Sequence, residues 1–225
     1  MKKFNKLGEA SAPDGSIVAL YEHDGAHVIH VNGRELMSTR RHESEEQLAE
    51  LICAPLQHAV APRVLIGGLG LGFTLRTALR ILPSDASVVV AEIIPEVVAW
   101  NRNEAYGLAH VQLQDARVEV KELDVARVID DHPASFDGIM LDVDNGADAM
   151  TTSGNADLYR LAGIAAAAAA LRPHGRIAYW SAEADPSFEK MLRRAGLSVA
   201  VTKARSYALS AAWHRLIVAE RAGPA

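Results

Sequence analysis

A short apolar run in this 225-residue chain, FDGIMLDVDNG at 136–146, finishes on Asp142, Asp144 and Asn145. Turn formation accounts for Asn145-Gly146, because Asn, Asp and Gly enter tight turns readily. The acids have a second reading. Open α/β sheets bind ligands outside the carboxyl ends of their parallel strands, so a carboxylate there can receive the proton of an incoming nucleophile. Asp142 takes that role here. Asp144 reads equally as a second acid on the acceptor side or as a solvated turn residue.

A glycine loop, GGLGLG at 67–72, lies between an apolar run, RVLIGG, and a helical pattern, GFTLRTALRIL. Glycines at such a turn let the backbone approach a ligand and leave N–H groups free near the helix start. After Gly68 and Gly70 the third glycine falls at Gly72, one residue short of the dinucleotide fingerprint, which has Phe73 in its place. A pyrophosphate cofactor is thereby disfavoured. The next strand, SVVVAE, ends in Glu92, where a carboxylate can accept hydrogen bonds from both ribose hydroxyls. Together these features point to a nucleoside ligand, with S-adenosylmethionine or a relative first among them.

Asp124 closes a third run, RVEVKELD, and precedes VARVID. Its carboxylate can accept from an adenine amino group, with Val125 supplying a backbone N–H. Equally it can cap the helix that follows, and the two roles are compatible. Trp180 and Glu183 follow a fifth run, GRIAYWS, on the same sheet edge as Asp142. Trp180 reads as a wall of an acceptor pocket or as a cover over the core edge. Glu183 could pair a distal ammonium, and Tyr159 and Tyr207 flank the region.

The elements that must hold these residues fall into two domains, a small β-strand unit over 1–42 and a nucleoside-binding unit over 43–225. In 16–37 the alternation and the dipeptides Asp24-Gly25 and Asn32-Gly33 predict three short antiparallel strands joined by hairpin turns. Ser44 and Gln47 form a capping-box pattern opening a helix that Pro55 should end. From Ala61 onward strands alternate with helices, including PEVVAWNRNEA with proline in its first turn and one alanine-rich helix over 157–172. Repeated βα units predict a mostly parallel sheet with helices on both faces. SVAVTK and AAWHRLIVAE leave no room for a crossover helix, so the last strand should run antiparallel.

Composition bounds the function class. Hydrophobic residues make up 49%, and the formal charge is −5 with 23 Lys and Arg against 28 Asp and Glu. That balance opposes nucleic-acid binding, which relies on cationic side chains. No apolar run is long enough for a membrane span, and MKKFNKLGEA lacks the apolar stretch of a signal peptide. With a lone cysteine, Cys53, the economical reading is a soluble cytoplasmic protein. No HExxH motif or cysteine pair suggests a metal site. Exposed strand edges in the N-terminal unit favour a homodimer.

Taken together, VNGRELMS, VLIGGLGLGFTLR, VAEIIPEVV, ELDVA and FDGIMLDVDNG resemble the spermidine/spermine synthase family of aminopropyltransferases over nearly the whole chain. The resemblance implies a Rossmann-like class I methyltransferase fold, a mostly parallel seven-stranded sheet with a small N-terminal antiparallel β domain. It implies Glu92 on the ribose, Asp124 on the adenine, Gly68, Gly70 and Gly72 beside the sulfur-bearing chain, and Asp142 as the catalytic aspartate. The implied reaction, a step in polyamine biosynthesis, moves an aminopropyl group from decarboxylated S-adenosylmethionine to an amine, releasing methylthioadenosine. The departures fall on the acceptor side. The family's glycine loop carries an aspartate that GGLGLG lacks, its second acid is Asn145 here, and its N-terminal glutamine is Leu36. RHESEEQ, with His42 and Glu45, stands nearest to the family's Tyr-His-Glu stretch. A methyltransferase using S-adenosylmethionine, or a nucleoside-binding homologue without catalysis, are the alternatives on the same scaffold.

Overall fold

Four antiparallel strands open the chain in the computed structural model, which describes residues 4–142, 155–181, 185–205 and 213–223. They are β1 (Asn5–Ser11), β2 (Ile17–His23), β3 (Ala26–Val31) and β4 (Arg34–Ser38). The two predicted turns hold: Asp24, Gly25, Asn32 and Gly33 all have positive φ, at 55°, 73°, 49° and 79°, as a type I′ hairpin turn requires. The three strands expected over 16–37 are β2, β3 and β4, and β1 adds a fourth before them. The missed strand, β1, shifts register between Lys6 and Gly8, and that bulge breaks the alternation by which a strand is read.

Helix α1 (Glu43–Cys53) follows, and the capping box expected at Ser44 is corrected. The cap position is His42, with no side-chain hydrogen bond, and Ser44 lies inside the helix, buried. Glu43, Glu45 and Glu46 in the first turn meet the positive end of the helix dipole instead. Pro55 ends the α-helix as expected, within a short 3-10 turn at Ala54–Leu56.

The remaining elements alternate. They are β5 (Arg63–Gly67), α2 (Phe73–Ile81), β6 (Ser87–Ala91), α3 (Pro95–Arg102), α4 (His110–Leu113), β7 (Val118–Lys121), α5 (Val125–Asp130) and β8 (Phe136–Leu141). After them come α6 (Asn155–Leu158), α7 (Leu161–Ala170), β9 (Leu171–Ser181), α8 (Pro186–Arg194), β10 (Leu197–Arg205) and β11 (Trp213–Arg221). The single alanine-rich helix is thus divided. Arg160 takes an extended conformation, φ −91° and ψ 165°, between α6 and α7, and Leu171 already belongs to β9.

The second sheet has seven strands in the order β10-β11-β9-β8-β5-β6-β7. All neighbours from β9 to β7 pair in parallel, and β11 pairs antiparallel with both β9 and β10. The mostly parallel sheet with an antiparallel last strand is therefore present. Its strands alternate between two cores. Val64, Ile66, Val88, Val90 and Met140 face the side of α1, α2, α3 and the N-terminal sheet. Leu65, Val89, Ile139 and Leu141 face α5, α7 and α8. Fully burying one such side chain contributes about 1.5–3 kcal/mol, so both faces anchor the central strands whose carboxyl ends carry the site. No helix among the described residues is long and apolar enough to cross a membrane.

Candidate functional site

The glycine loop turns because Gly68, Gly70 and Gly72 all adopt left-handed φ values, 86°, 51° and 83°. Space also forces glycine at Gly72, whereas at Gly70 a Cβ would meet only the end of a flexible side chain. A Cβ at Gly72 would meet that of Ala109 at 2.4 Å, and one at Gly70 would meet Met37 Cε at 2.8 Å. Buried Asn101 holds the loop from below, its Nδ2 donating to Gly70 O at 2.8 Å and its Oδ1 accepting from Ala109 N at 3.3 Å. Asn101 escaped the sequence reading, since an amide in a helix carries no pattern of its own.

Glu92 is buried at the end of β6, where it joins two loops. One oxygen accepts from Leu69 N at 2.9 Å and the other from Ile94 N at 2.9 Å. Burial pushes its pKa up while these N–H groups pull it back down. The Ile93 and Gly70 N–H groups act on the same carboxylate. Asp124 caps α5 as foreseen, accepting from Ala126 N at 2.9 Å. Val125 opens that helix, where N–H groups have no intrahelical partner.

One cleft gathers these residues. Gly68, Gly70, Glu92, Asp124, Val125 and Asp142 all line it, and its space, counted out to the open mouth, is about 640 Å³. Val18, Ile29, Leu36 and Met37 of the N-terminal sheet give it an apolar roof. This roof was not foreseen, because nothing in the strand pattern says which domain covers which. The charged residues on its lining, Glu92, Asp124 and Asp142, are all acids.

Asp142 follows β8 directly, and its N–H donates to Gly67 O at 3.0 Å, tying it to the glycine loop. The Thr74 hydroxyl, in the first turn of α2, donates to Asp142 Oδ2 at 2.8 Å. Desolvation raises Asp142 to about 6, against which the Thr74 bond works. Glu45, in the first turn of α1, is raised further, to about 8, by burial and then by the charge of Asp142. The Ser44 hydroxyl donates to Glu45 Oε2 at 2.5 Å. His42 stacks on Phe73 with ring centroids 4.2 Å apart. Its Nδ1 is 3.2 Å from Glu46 Oε1, without the alignment of a hydrogen bond. An acid two positions into a helix is ordinary by sequence, and only the crossing of α1 over β8 gives Glu45 its neighbour.

Trp180 lies off the cleft lining, packed on the core under α1 and edge-on to His214 at 4.5 Å between centroids. Among the described residues, its Nε1 and His214 Nδ1 are buried without hydrogen-bond partners. Tyr159 packs in the opposite core against Tyr179 and Phe188. Asp144, Asn145, Glu183 and Tyr207 fall outside the described residues. Among the described residues no group of His, Cys, Asp and Glu is arranged to hold a metal ion.

By sequence, the chain matches no family model and no curated protein. By structure it is similar to a spermidine synthase in complex with the transition state analogue AdoDATO, with a TM-score of 0.76 and 18% identity over 99% of this chain and 75% of that one. The spermidine synthase from Thermotoga maritima gives a TM-score of 0.74 at 18% identity, over 99% of this chain and 75% of that one. A probable spermidine synthase from Corynebacterium glutamicum gives 0.67 at 18% identity, over 95% and 79%. The fold is that of the spermidine synthases.

Proposed function

We propose that the cleft binds an S-adenosyl donor and that the protein is an aminopropyltransferase, moving an aminopropyl group from decarboxylated S-adenosylmethionine to an amine. The observation that carries this reading is the convergence of Gly68, Gly70, Glu92, Asp124, Val125 and Asp142 on one cleft. Glu92 would hold the ribose hydroxyls, Asp124 and the Val125 N–H the adenine, and the glycine loop the chain at sulfur. The acid-only lining supports a donor without a carboxylate, since a second negative charge beside these groups would be repelled. The donor supplies a sulfonium-activated carbon. Asp142 orients the acceptor nitrogen and takes its proton, because a protonated amine has no lone pair with which to attack. A base so placed contributes about 10²–10⁴ in rate.

A second reading, methyl transfer from S-adenosylmethionine, is favoured by one feature. The loop at 67–72 carries no acid, so its N–H groups could receive the donor's carboxylate. Incubating the protein with each donor and a panel of amines separates the two. Aminopropyl transfer yields methylthioadenosine from the decarboxylated donor only. Formation of S-adenosylhomocysteine as the sole nucleoside product would overturn it in favour of the methyltransferase.

A further inference from the structure

Helix α1 crosses β8 at very close range, since a Cβ at Gly138 would stand 2.4 Å from Ile52 Cγ2. Seven residues before Ile52, on the same helix face and about 10 Å along the axis, comes Glu45. Four residues beyond Gly138, about 13 Å along the strand, comes Asp142. The start of α1 reaches that end of β8, since His42, at its cap, stacks on Phe73 with ring centroids 4.2 Å apart and the next residue, Thr74, donates to Asp142 at 2.8 Å. Each acid is also held by a hydroxyl from its own side, Ser44 on Glu45 and Thr74 on Asp142.

We propose that Glu45 and Asp142 form a proton-sharing carboxylate pair that receives the acceptor amine as a cation and takes up its proton before attack. This rests on the reading of the cleft as a donor site and gives Asp142 a partner acid from outside the lining residues. The pair titrates in two steps, near pH 6 and near pH 8, because burial raises both acids and the charge of Asp142 then adds to the rise of Glu45. Near neutrality the pair therefore carries one proton and one negative charge. An ammonium, R–NH3+, neutralises that charge on arrival. It passes one proton to the pair, leaving both carboxyls protonated and the nitrogen lone pair free. The N–C bond then forms as the C–S bond breaks, and its electrons make the sulfonium a neutral thioether. The positive charge ends on the product nitrogen as R–NH2+–R′, and the pair returns its extra proton to solvent.

The surroundings bear on the titration. Glu43, on α1, adds to the rise of Glu45. His42 and Glu46 stand on the same helix, and Arg76 stands on α2, its guanidinium over the Phe73 ring. From the sheet, β11 brings His214, whose pKa burial lowers, and β10 brings Lys203 and Arg205.

The test is carboxyl NMR titration of the free protein with carbon-13 in its Asp and Glu side chains, for wild type, Asp142→Asn and Glu45→Gln. The expected result is that the wild-type Glu45 carboxyl, assigned by its loss in Glu45→Gln, titrates above pH 7. In Asp142→Asn the Glu45 midpoint falls by about one pH unit or more. In Glu45→Gln the titration above pH 7 disappears. An unchanged Glu45 midpoint in Asp142→Asn, or a wild-type spectrum in which every carboxyl titrates near its ordinary value of about 4, overturns the pair. A wild-type spectrum with no carboxyl titrating above pH 7 overturns it even if a variant fails to fold. Kinetics supply the functional readout: Glu45→Gln loses about 10–100-fold in kcat/KM for the amine and one limb of the pH profile, which Glu45→Asp partly restores. No donor is present in the titration, so uncoupled acids alongside methylthioadenosine formation would remove Glu45 and leave the donor reading standing. Coupled acids without that product would do the reverse.

Discussion

Asp142 keeps some exposure to the cleft but sits where its charge is poorly solvated, and that cost is measurable in stability. Its pKa rises from 3.8 to about 6 on folding, worth up to about 3 kcal/mol. A folded pKa above the unfolded one means that the associated stability is fully present below about pH 4 and is lost as pH rises through 6. Asp142→Asn, which keeps an oxygen for Thr74, should therefore gain stability over wild type in urea melts at pH 8 and gain none at pH 4. Equal losses at both pH values would place the importance of Asp142 in its hydrogen bond rather than its charge. At this scale much was legible. Gly68, Gly70, Gly72, Glu92, Asp124 and Asp142 were each readable because a strand end announces the residue that follows it. Thr74, Asn101 and Ser44 were not, because each acts through a partner 31 to 68 residues away or through a neighbour on its own helix.

The α1–β8 crossing depends on Gly138 having no side chain. Gly138→Ala would drive a methyl into Ile52 Cγ2, and overpacking of this kind costs about 1–3 kcal/mol. Ile52→Ala would open a cavity costing about 2–5 kcal/mol. The double variant should cost less than the sum of the two, a non-additivity readable by denaturant melts in a double-mutant cycle. Strict additivity would mean that the two elements do not bear on each other there. A glycine inside a strand pattern is a sequence signal for close approach, but the sequence does not say by what. The same limit explains β1, where Gly8 admits the Trp100 indole, whose Nε1 would lie 2.4 Å from a Cβ there. That contact docks α3 on the N-terminal sheet, and the bulge that permits it hid the strand. The alanine-rich run was misread for a related reason, since helix propensity gives no warning of the extended residue at Arg160.

Across the whole molecule, sheet order follows from local rules: βα units wind into parallel pairs, and a short connection forces the antiparallel end. The alternation of Val88, Val89 and Val90 between two cores shows how directly strand period becomes layering. The relation between the two sheets did not follow, because Leu36 and Met37 read as strand residues and serve as a roof over a cleft built by the other sheet. On the proposed function, that roof, the glycine loop and the three acids would hold an adenosyl group with its sulfur facing the carboxylate at the end of β8. A crystal structure of the complex with methylthioadenosine tests this most directly. The account predicts the ribose hydroxyls on Glu92, the adenine beside Asp124 and the thioether sulfur directed at Asp142. A nucleoside bound with its sulfur pointing away from Asp142, or bound outside this cleft, would contradict it.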